Sequence, residues 1–319
     1  MHILVTGATG NIASALIPRL VEAGHSVRAL VRPTSSAEAL EAWPVELYRG
    51  DLTDSESLRG LSERVDAVYH LGGALWTTDH RYLYAANVTG TRALATLFAD
   101  RPLSRFIFTS FPQVLGPADR PLPEDTDPHP VGNHARWKLE AERELLALHR
   151  DRRLPVTILR LGTVYGAGMQ IIELYRRLLR WRLMATFGWG RYLTHFVHLD
   201  DVVEALLLAL THERAVGRVY HVCDDQPVPH RVFVNSMADA LGTMHPLPMP
   251  VTIFRSAAAV AGLGERVTGR PPFLTQDAIT MAMQPTWAET SRVKAELGFV
   301  PRYPTIAQGL RDLALTVGY

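Results

Sequence analysis

Short apolar, β-branched runs alternate along the first half of the chain with longer stretches whose apolar residues recur at helical spacing. The runs are His2–Thr6, Ser26–Val31, Ala67–Leu71, Phe106–Ser110 and Val156–Leu161, and helical stretches cover Asn11–Ala23, Arg81–Phe98 and His134–His149. Strands joined by helix-length crossovers pair parallel with helices on both faces, so the pattern predicts an α/β, doubly wound fold. After Gly166 the rhythm changes to a basic amphipathic segment (Tyr175–Arg182), a strand-like run (Tyr192–Leu199), a helix (Asp201–Leu210) and a strand (Arg218–Val222). Beyond these, Pro227, Pro229, Pro246, Pro248, Pro250, Pro271 and Pro272 break the chain into short pieces. The expected organisation is one domain over residues 1–166 and a smaller C-terminal lobe over 167–319, with segments around 192–222 returning to the first domain's sheet.

A chain of 319 residues can bury a large core. Its 33 Lys and Arg against 32 Asp and Glu leave a net charge of +1, too little to concentrate nucleic acid or an anionic membrane, and neither is expected as a partner. Cys223 is the sole cysteine, which excludes an internal disulfide framework and fits a reducing compartment. Met1-His2 runs straight into the first strand pattern without the features of a signal peptide, so a cytoplasmic protein is expected. The apolar stretch Thr252–Leu263 carries Arg255 and is too short to cross a bilayer; it predicts a buried helix.

Candidate chemistry begins at Thr6-Gly7-Ala8-Thr9-Gly10-Asn11-Ile12-Ala13, between the first strand and the first helix. Gly7 permits a tight turn, Gly10 lets the backbone approach a pyrophosphate, and Ala13 keeps the helix close to the sheet. The helix N-terminus offers free N–H groups and a positive dipole end. Gly7, Thr9, Gly10, Asn11 and Ile12 are therefore candidate contacts of a dinucleotide, and the domain is a Rossmann fold. Where an enzyme preferring NAD would offer an acid to the ribose 2′-hydroxyl, the second strand ends in Arg32, with Ser35 close behind. A guanidinium grips a 2′-phosphate with paired hydrogen bonds, which favours NADP(H) over NAD(H).

Further stretches complete a series: Gly50-Asp51-Leu52-Thr53-Asp54, Tyr69-His70-Leu71-Gly72-Gly73, Asn87-Val88-Thr89-Gly90-Thr91, Leu159 through Gly166, Phe196 through Val202, and Leu297-Gly298-Phe299-Val300-Pro301. With the glycine turn they resemble, over nearly the full length, the extended short-chain dehydrogenase/reductases, the NAD-dependent epimerase/dehydratase family. The resemblance implies that Asp51 and Leu52 meet the adenine, that Leu71, Gly72 and Gly73 run beside the adenosine ribose, and that Leu161, Thr163 and Val164 lie under the nicotinamide. It implies a smaller C-terminal lobe that binds the substrate, a small molecule; a homodimer is also expected. Leu161 stands where the family commonly has proline.

The resemblance departs at the active site. The family's Tyr-x-x-x-Lys becomes His134-Ala135-Arg136-Trp137-Lys138, and its serine position falls on Phe111, with Thr109 and Ser110 just before it. Four-residue spacing puts His134 and Lys138 on one helical face. Lys138 can still hold the ribose, and Thr109 or Ser110 can replace the missing hydroxyl. His134 can move a proton in the tyrosine's place, and the nearby ammonium disfavours imidazolium, so a neutral ring is expected. Trp76, Asp79 and His80, in the loop after the fourth predicted strand, are candidate pocket residues or plain surface. His195 and His198, three apart on a strand, point to opposite faces, and no metal site is expected. Arg176, Arg177, Arg180 and Arg182 can draw in an acidic substrate or form the solvated face of a helix; Met244, Met249, Met281 and Met283 can line an apolar pocket or fill the core.

The leading expectation is an NADP(H)-dependent oxidoreductase acting on a carbonyl or alcohol of a small, rather apolar metabolite. The alternatives are a non-redox epimerase, dehydratase, isomerase or cyclase that keeps its dinucleotide bound, and a redox-silent NADP(H)-binding regulator.

Overall fold

The computed structural model describes residues 1–316 except 75, 76, 269–271 and 273. In chain order its first half holds β1 (His2–Thr6), α1 (Asn11–Glu22), β2 (Ser26–Val31), β3 (Val45–Arg49), β4 (Ala67–His70), α2 (His80–Tyr84), α3 (Gly90–Phe98), β5 (Arg105–Ser110), α4 (Asn133–Arg152) and β6 (Val156–Leu161). There follow β7 (Thr163–Tyr165), α5 (Gln170–Arg180), β8 (Ala185–Phe187), β9 (Leu193–Thr194), β10 (Phe196–His198), α6 (Leu199–Thr211) and β11 (Arg218–Val222). Last come β12 (Val228–Pro229), α7 (His230–Ala240), β13 (Leu247–Met249), α8 (Val251–Thr268), α9 (Gln276–Ala282), α10 (Ser291–Leu297) and α11 (Ile306–Thr316).

Seven of these strands form one parallel sheet, ordered β11-β6-β5-β4-β1-β2-β3. The order reverses between β1 and β4, and the crevice outside their carboxyl ends is where such sheets bind ligands. Period-two alternation sorts the strand residues between two cores. Ile3, Val5, Ile107 and Leu159 pack with Leu16 of α1 and Leu206 of α6. Leu4, Val68, Phe106, Phe108 and Ile158 pack on the opposite face with Leu94 of α3 and Leu145 of α4. Each such side chain contributes about 1.5–3 kcal/mol by leaving water, which fixes the register of the strand ends that carry the site.

The doubly wound α/β fold is as expected, with four local differences. The edge strand β3 was not foreseen, because Glu46 and Leu47 are exposed and no buried alternation marks it. The helix expected over 81–98 begins at His80, capped by the Asp79 carboxylate on the Arg81 and Tyr82 N–H groups, and passes through a π-helical turn at Ala85–Thr89. The run Tyr192–Leu199 is two short strands broken at His195; β9 pairs with β12 and β10 with β7, outside the main sheet. The chain leaves that sheet at Gly162, where a Cβ would lie 2.7 Å from the His195 carbonyl oxygen. Finally, α8, expected to be buried, is apolar but largely exposed: Ala258 is buried, whereas Ile253, Val260 and Leu263 face outward.

Part of the late chain joins the sheet and its first core. β11 edges the main sheet, α6 packs on α1, and Val293, Leu297 and Phe299 join the first core. A third cluster, built from Tyr165, Ile172, Phe196, Phe233 and Leu310, holds α5, α7 and α11 beside it. No helix among the described residues is long and apolar enough to cross a membrane.

Candidate active site

A cavity of about 250 Å³ opens at the β1/β4 reversal. Gly7, Thr9 and Gly10 form its floor, Arg32 and Ser35 one end, Asp51 and Leu52 a side, and Leu71, Gly72 and Gly73 the facing wall. Ten residues singled out from the sequence are thus brought together. Gly7 has φ +65°, and a Cβ there would lie 2.8 Å from the Cα and N of Gly72, so both the turn and the close approach of β1 to β4 require glycine. Gly10 caps α1 without any side-chain hydrogen bond, leaving the first N–H groups of the helix free. A glycine floor, an uncapped helix N-terminus and a cavity of this size fit a dinucleotide pyrophosphate. Asn11 and Ile12 are half-buried in the first turn of α1, beside the cavity rather than lining it.

At the Arg32 end of the cavity, the guanidinium donates to the Ser35 hydroxyl (3.3 Å) and to the Tyr82 hydroxyl (3.0 Å). Arg49 fastens the same loop, donating to the carbonyls of Arg32 (3.2 Å) and Ser35 (3.0 Å). Tyr82 arrives from α2 and was invisible to a local reading. Asp51 serves two ends: Oδ1 accepts the backbone N–H and hydroxyl of Thr53, both at 2.8 Å, while the residue lines the cavity.

The residues that the resemblance assigns to proton transfer lie on α4 and the end of β5. Lys138 Nζ donates to the Thr109 carbonyl at 3.0 Å and sits 4.3 Å above the Phe108 ring centroid. Burial lowers its pKa to about 8, with Glu142 pulling the other way. The His134 ring stacks on Phe111, centroids 5.1 Å apart at 11°. Burial first and Lys138 second lower its pKa to about 3, so the ring is neutral, as expected, but more from desolvation than from the ammonium. His134 Nδ1 and Ser110 Oγ are both buried with no hydrogen-bond partner among the described residues. Ser110 alternates onto the Phe108 face, toward α4. Thr109 turns to the other face, its hydroxyl 3.5 Å from the His70 carbonyl, the face to which alternation also assigns Phe111. Near the expected nicotinamide end, Leu161 is absorbed into the core, Thr163 is exposed and Val164 half-buried.

Residues to which sequence alone assigned no individual role, among them Thr6, His70, Asn87 and Thr91, support this wall. Gly72 N–H donates to the Thr6 hydroxyl (3.0 Å), which meets His70 Nδ1 (2.7 Å); His70 Nε2 meets the Thr91 hydroxyl (2.8 Å), which donates to the Asn87 carbonyl (2.8 Å). The last donation makes Thr91 an acceptor toward His70, placing the imidazole proton on Nε2. Burial first and Lys138 second push the His70 pKa down to about 3, keeping the ring neutral. Asn87 brackets the loop after β4, donating to the carbonyls of Ala74 (2.8 Å) and Leu83 (2.9 Å). Glu265 of α8 accepts from the Thr77 hydroxyl (2.6 Å), the Thr78 N–H (2.9 Å) and the Thr78 hydroxyl. His80 lies 3.5 Å from Asp277 Oδ2 and edge-on to Trp137. The loop therefore spans from the cavity wall to α8 and α9; Trp76 lies outside the described residues.

The two strand histidines have separate partners. His195 lies between the Asp224 carbonyl (2.9 Å) and the Ala288 N–H (3.1 Å), and His198 Nδ1 accepts from Asp200 N–H (3.2 Å). Among the described residues no three His, Cys, Asp or Glu side chains cluster as a metal site.

Fold and cavity together define a nicotinamide-dinucleotide-binding protein. Residues 3–223 match the NAD dependent epimerase/dehydratase family, and the chain belongs to that family. It is similar to 2-alkyl-3-oxoalkanoate reductase of Stenotrophomonas maltophilia, 29% identical over 98% of both chains. A 4-hydroxy-2-methyl-3-oxo-4-farnesyl-3,4-dihydroquinoline-1-oxide ketoreductase of Stigmatella aurantiaca is also 29% identical, over 98% of this chain and 96% of its own. UDP-glucuronic acid 4-epimerase of Bacillus cereus, solved with UDP-glucuronic acid and NAD, shares the fold at TM-score 0.78 and 22% identity over 100% of both chains. The chain is thus a dinucleotide-dependent oxidoreductase of the extended short-chain dehydrogenase/reductase type.

Proposed function

We propose that this protein is an NADP(H)-dependent reductase of apolar ketones, working in the cytoplasm with a modified proton-transfer pair. The carrying observation is the cationic end of the cavity, where Arg32, Ser35 and Tyr82 converge and Arg32 has no ion-pair partner among the described residues. A 2′-phosphate would take the place of the Tyr82 contact and pair the Arg32 guanidinium. Lone, buried Cys223 accords with a reducing cytoplasm.

Bound there, the cofactor would supply a hydride to the substrate carbonyl carbon. The chain must then supply one proton to the carbonyl oxygen. At neutral pH His134 has no imidazolium proton to give, so its neutral ring donates a hydrogen bond to that oxygen. As that proton moves to the oxygen, the Lys138 ammonium, one helical turn away, gives a proton to the other ring nitrogen, so the imidazole stays neutral throughout, and Lys138 regains its own from water. One of the two hydroxyls that precede Phe111, Thr109 or Ser110, orients the oxygen; Ser110 Oγ is the one without a hydrogen-bond partner among the described residues. The Phe111 ring, where the family has a hydroxyl, excludes water beside His134 and suits an apolar substrate. The two reductase relatives, named for an alkyl-substituted and a farnesylated ketone, support that class.

The test is NADPH oxidation against a panel of 3-oxo acids, aryl ketones and steroid ketones, with Arg32→Ala beside the wild type. Turnover of an apolar ketone is expected, with NADPH affinity falling about tenfold to a hundredfold in Arg32→Ala, for the loss of ~1.5–3 kcal/mol of charge-assisted bonding, and NADH affinity unchanged. NADPH binding without any oxidation across the panel would move the protein to a non-redox or regulatory role.

A further inference from the structure

Arginines concentrate on one side of the substrate lobe despite the near-zero net charge. Between Gln170 and Thr194 the chain has Arg176, Arg177, Arg180, Arg182 and Arg191 against a single acid, Glu173, which is paired to Arg176 at 2.8 Å. Arg231, at the start of α7, adjoins this group, its N–H bonded to the Gly190 carbonyl at 3.0 Å. None of Arg177, Arg180, Arg182, Arg191 and Arg231 has an ion pair among the described residues, and all five are exposed. The remaining acids of α7 and α8, Asp239 and Glu265, are engaged by His245 and by Thr77 and Thr78.

Large apolar side chains stand out among those cations. Trp181 is 69% exposed, Leu183 66%, Trp189 68% and Leu247 72%, and Arg191 lies over the Trp189 ring at 5.7 Å. The β8–β13 pairing and the edge-to-face contact of Phe187 with Phe254 (4.5 Å) join this patch to the start of α8. On α8, Ile253, Ala257 and Val260 recur at i, i+4 and i+7 on the outward side, whereas Phe254, Ala258 and Glu265 face the protein. A helix apolar on its water side gains nothing from that side unless something covers it.

We infer that this face is a monotopic attachment surface for an anionic lipid bilayer, with α8, Trp181, Trp189 and Leu247 dipping into the interface and the arginines meeting phosphate headgroups. Exposed indoles, aliphatic side chains and unpaired arginines without intervening carboxylates are the chemistry of a membrane interface. A dimer contact between copies would leave five like charges facing their own kind. An acidic protein surface would satisfy the arginines but not the outward row of α8. Attachment here would bring the substrate lobe to the phase in which apolar ketones dissolve.

The purified full chain is floated with phosphatidylcholine vesicles, with and without phosphatidylglycerol, at low and high salt; this needs no substrate and is blind to whether the reductase reading holds. Binding is expected only with phosphatidylglycerol, lost at high salt, and accompanied by quenching of tryptophan emission by brominated lipid. Arg177→Glu/Arg180→Glu/Arg182→Glu is expected to weaken partitioning at least about a hundredfold, at roughly fivefold per arginine. Trp181→Ala/Trp189→Ala weakens it with the fold unchanged by circular dichroism. No flotation of the wild type on anionic vesicles at low salt overturns the inference. So does binding to soluble polyglutamate without binding to vesicles, or a salt-insensitive dimer in light scattering that Val260→Glu dissociates.

Discussion

At the scale of single residues, the proposed proton chemistry turns on a lysine whose pKa is lowered to about 8 beside a histidine lowered to about 3. If the Lys138 ammonium is the proton source, kcat/KM for ketone reduction is level below about pH 8 and falls tenfold per pH unit above it, with no acidic limb from His134 near pH 6.5. A pH-rate profile for the wild type checks this. Lys138→Met should lower kcat by about a hundredfold to ten-thousandfold, whereas His134→Gln, which still donates a hydrogen bond, should keep more activity than His134→Ala. An acidic limb near pH 6.5 would return the imidazolium to the mechanism. Gly7, Gly10 and Arg32 were legible beforehand because each answers a local backbone or charge requirement that a few neighbours state. Tyr82 and His70 were not, since their partners lie 50 and 64 residues away in the chain. That Thr109 and Ser110 turn to opposite faces of β5 became plain only once the strand's two packed faces were known.

At the scale of elements, strands with a buried face on both sides announced themselves, whereas β3, exposed along its edge, did not. The apolar composition of α8 was read as burial, but composition does not say which face a helix turns to water. Its inner side shows what α8 does for the site: Glu265 receives both threonines of the loop after β4, and hydrogen bonds hold its pKa below the usual carboxylate value despite some desolvation. Glu265→Ala should therefore free the loop from the lobe. With about 1 kcal/mol lost from a partly screened contact, KM for the ketone rises roughly fivefold while NADPH affinity is unchanged, and cleavage by protease in the 74–79 loop accelerates. An equal loss of NADPH affinity would mean that α8 supports the whole cavity rather than its substrate side.

At the scale of the molecule, the last segments are sewn to the sheet through carboxylates at the ends of β10 and β11. Asp201 accepts the N–H groups of Arg302 (2.6 Å) and Tyr303 (3.1 Å), Asp225 N–H donates to the Pro304 carbonyl (3.0 Å), and Asp224 lies buried between them. Burial first, then Asp201 and Asp225, raise the Asp224 pKa from 3.8 to about 8, with the His198 backbone N–H acting in the opposite direction. This acid binds its proton more tightly folded than unfolded. Between about pH 4 and pH 8 the unfolded chain has shed that proton while the native state retains it, so stability attributable to the site declines as pH rises through this window and levels off above it. Asp224→Asn removes the titration without changing the shape of the side chain. The variant should match the wild type near pH 4 and exceed it by up to about 5 kcal/mol near pH 8.5, on the order of 8 °C in Tm for a chain of this length. Thermal melts of the two proteins across that range read the difference directly; a wild type whose Tm keeps pace with Asp224→Asn up to pH 8.5 would mean that Asp224 ionises freely in the fold and that the seam is held by Asp201 alone.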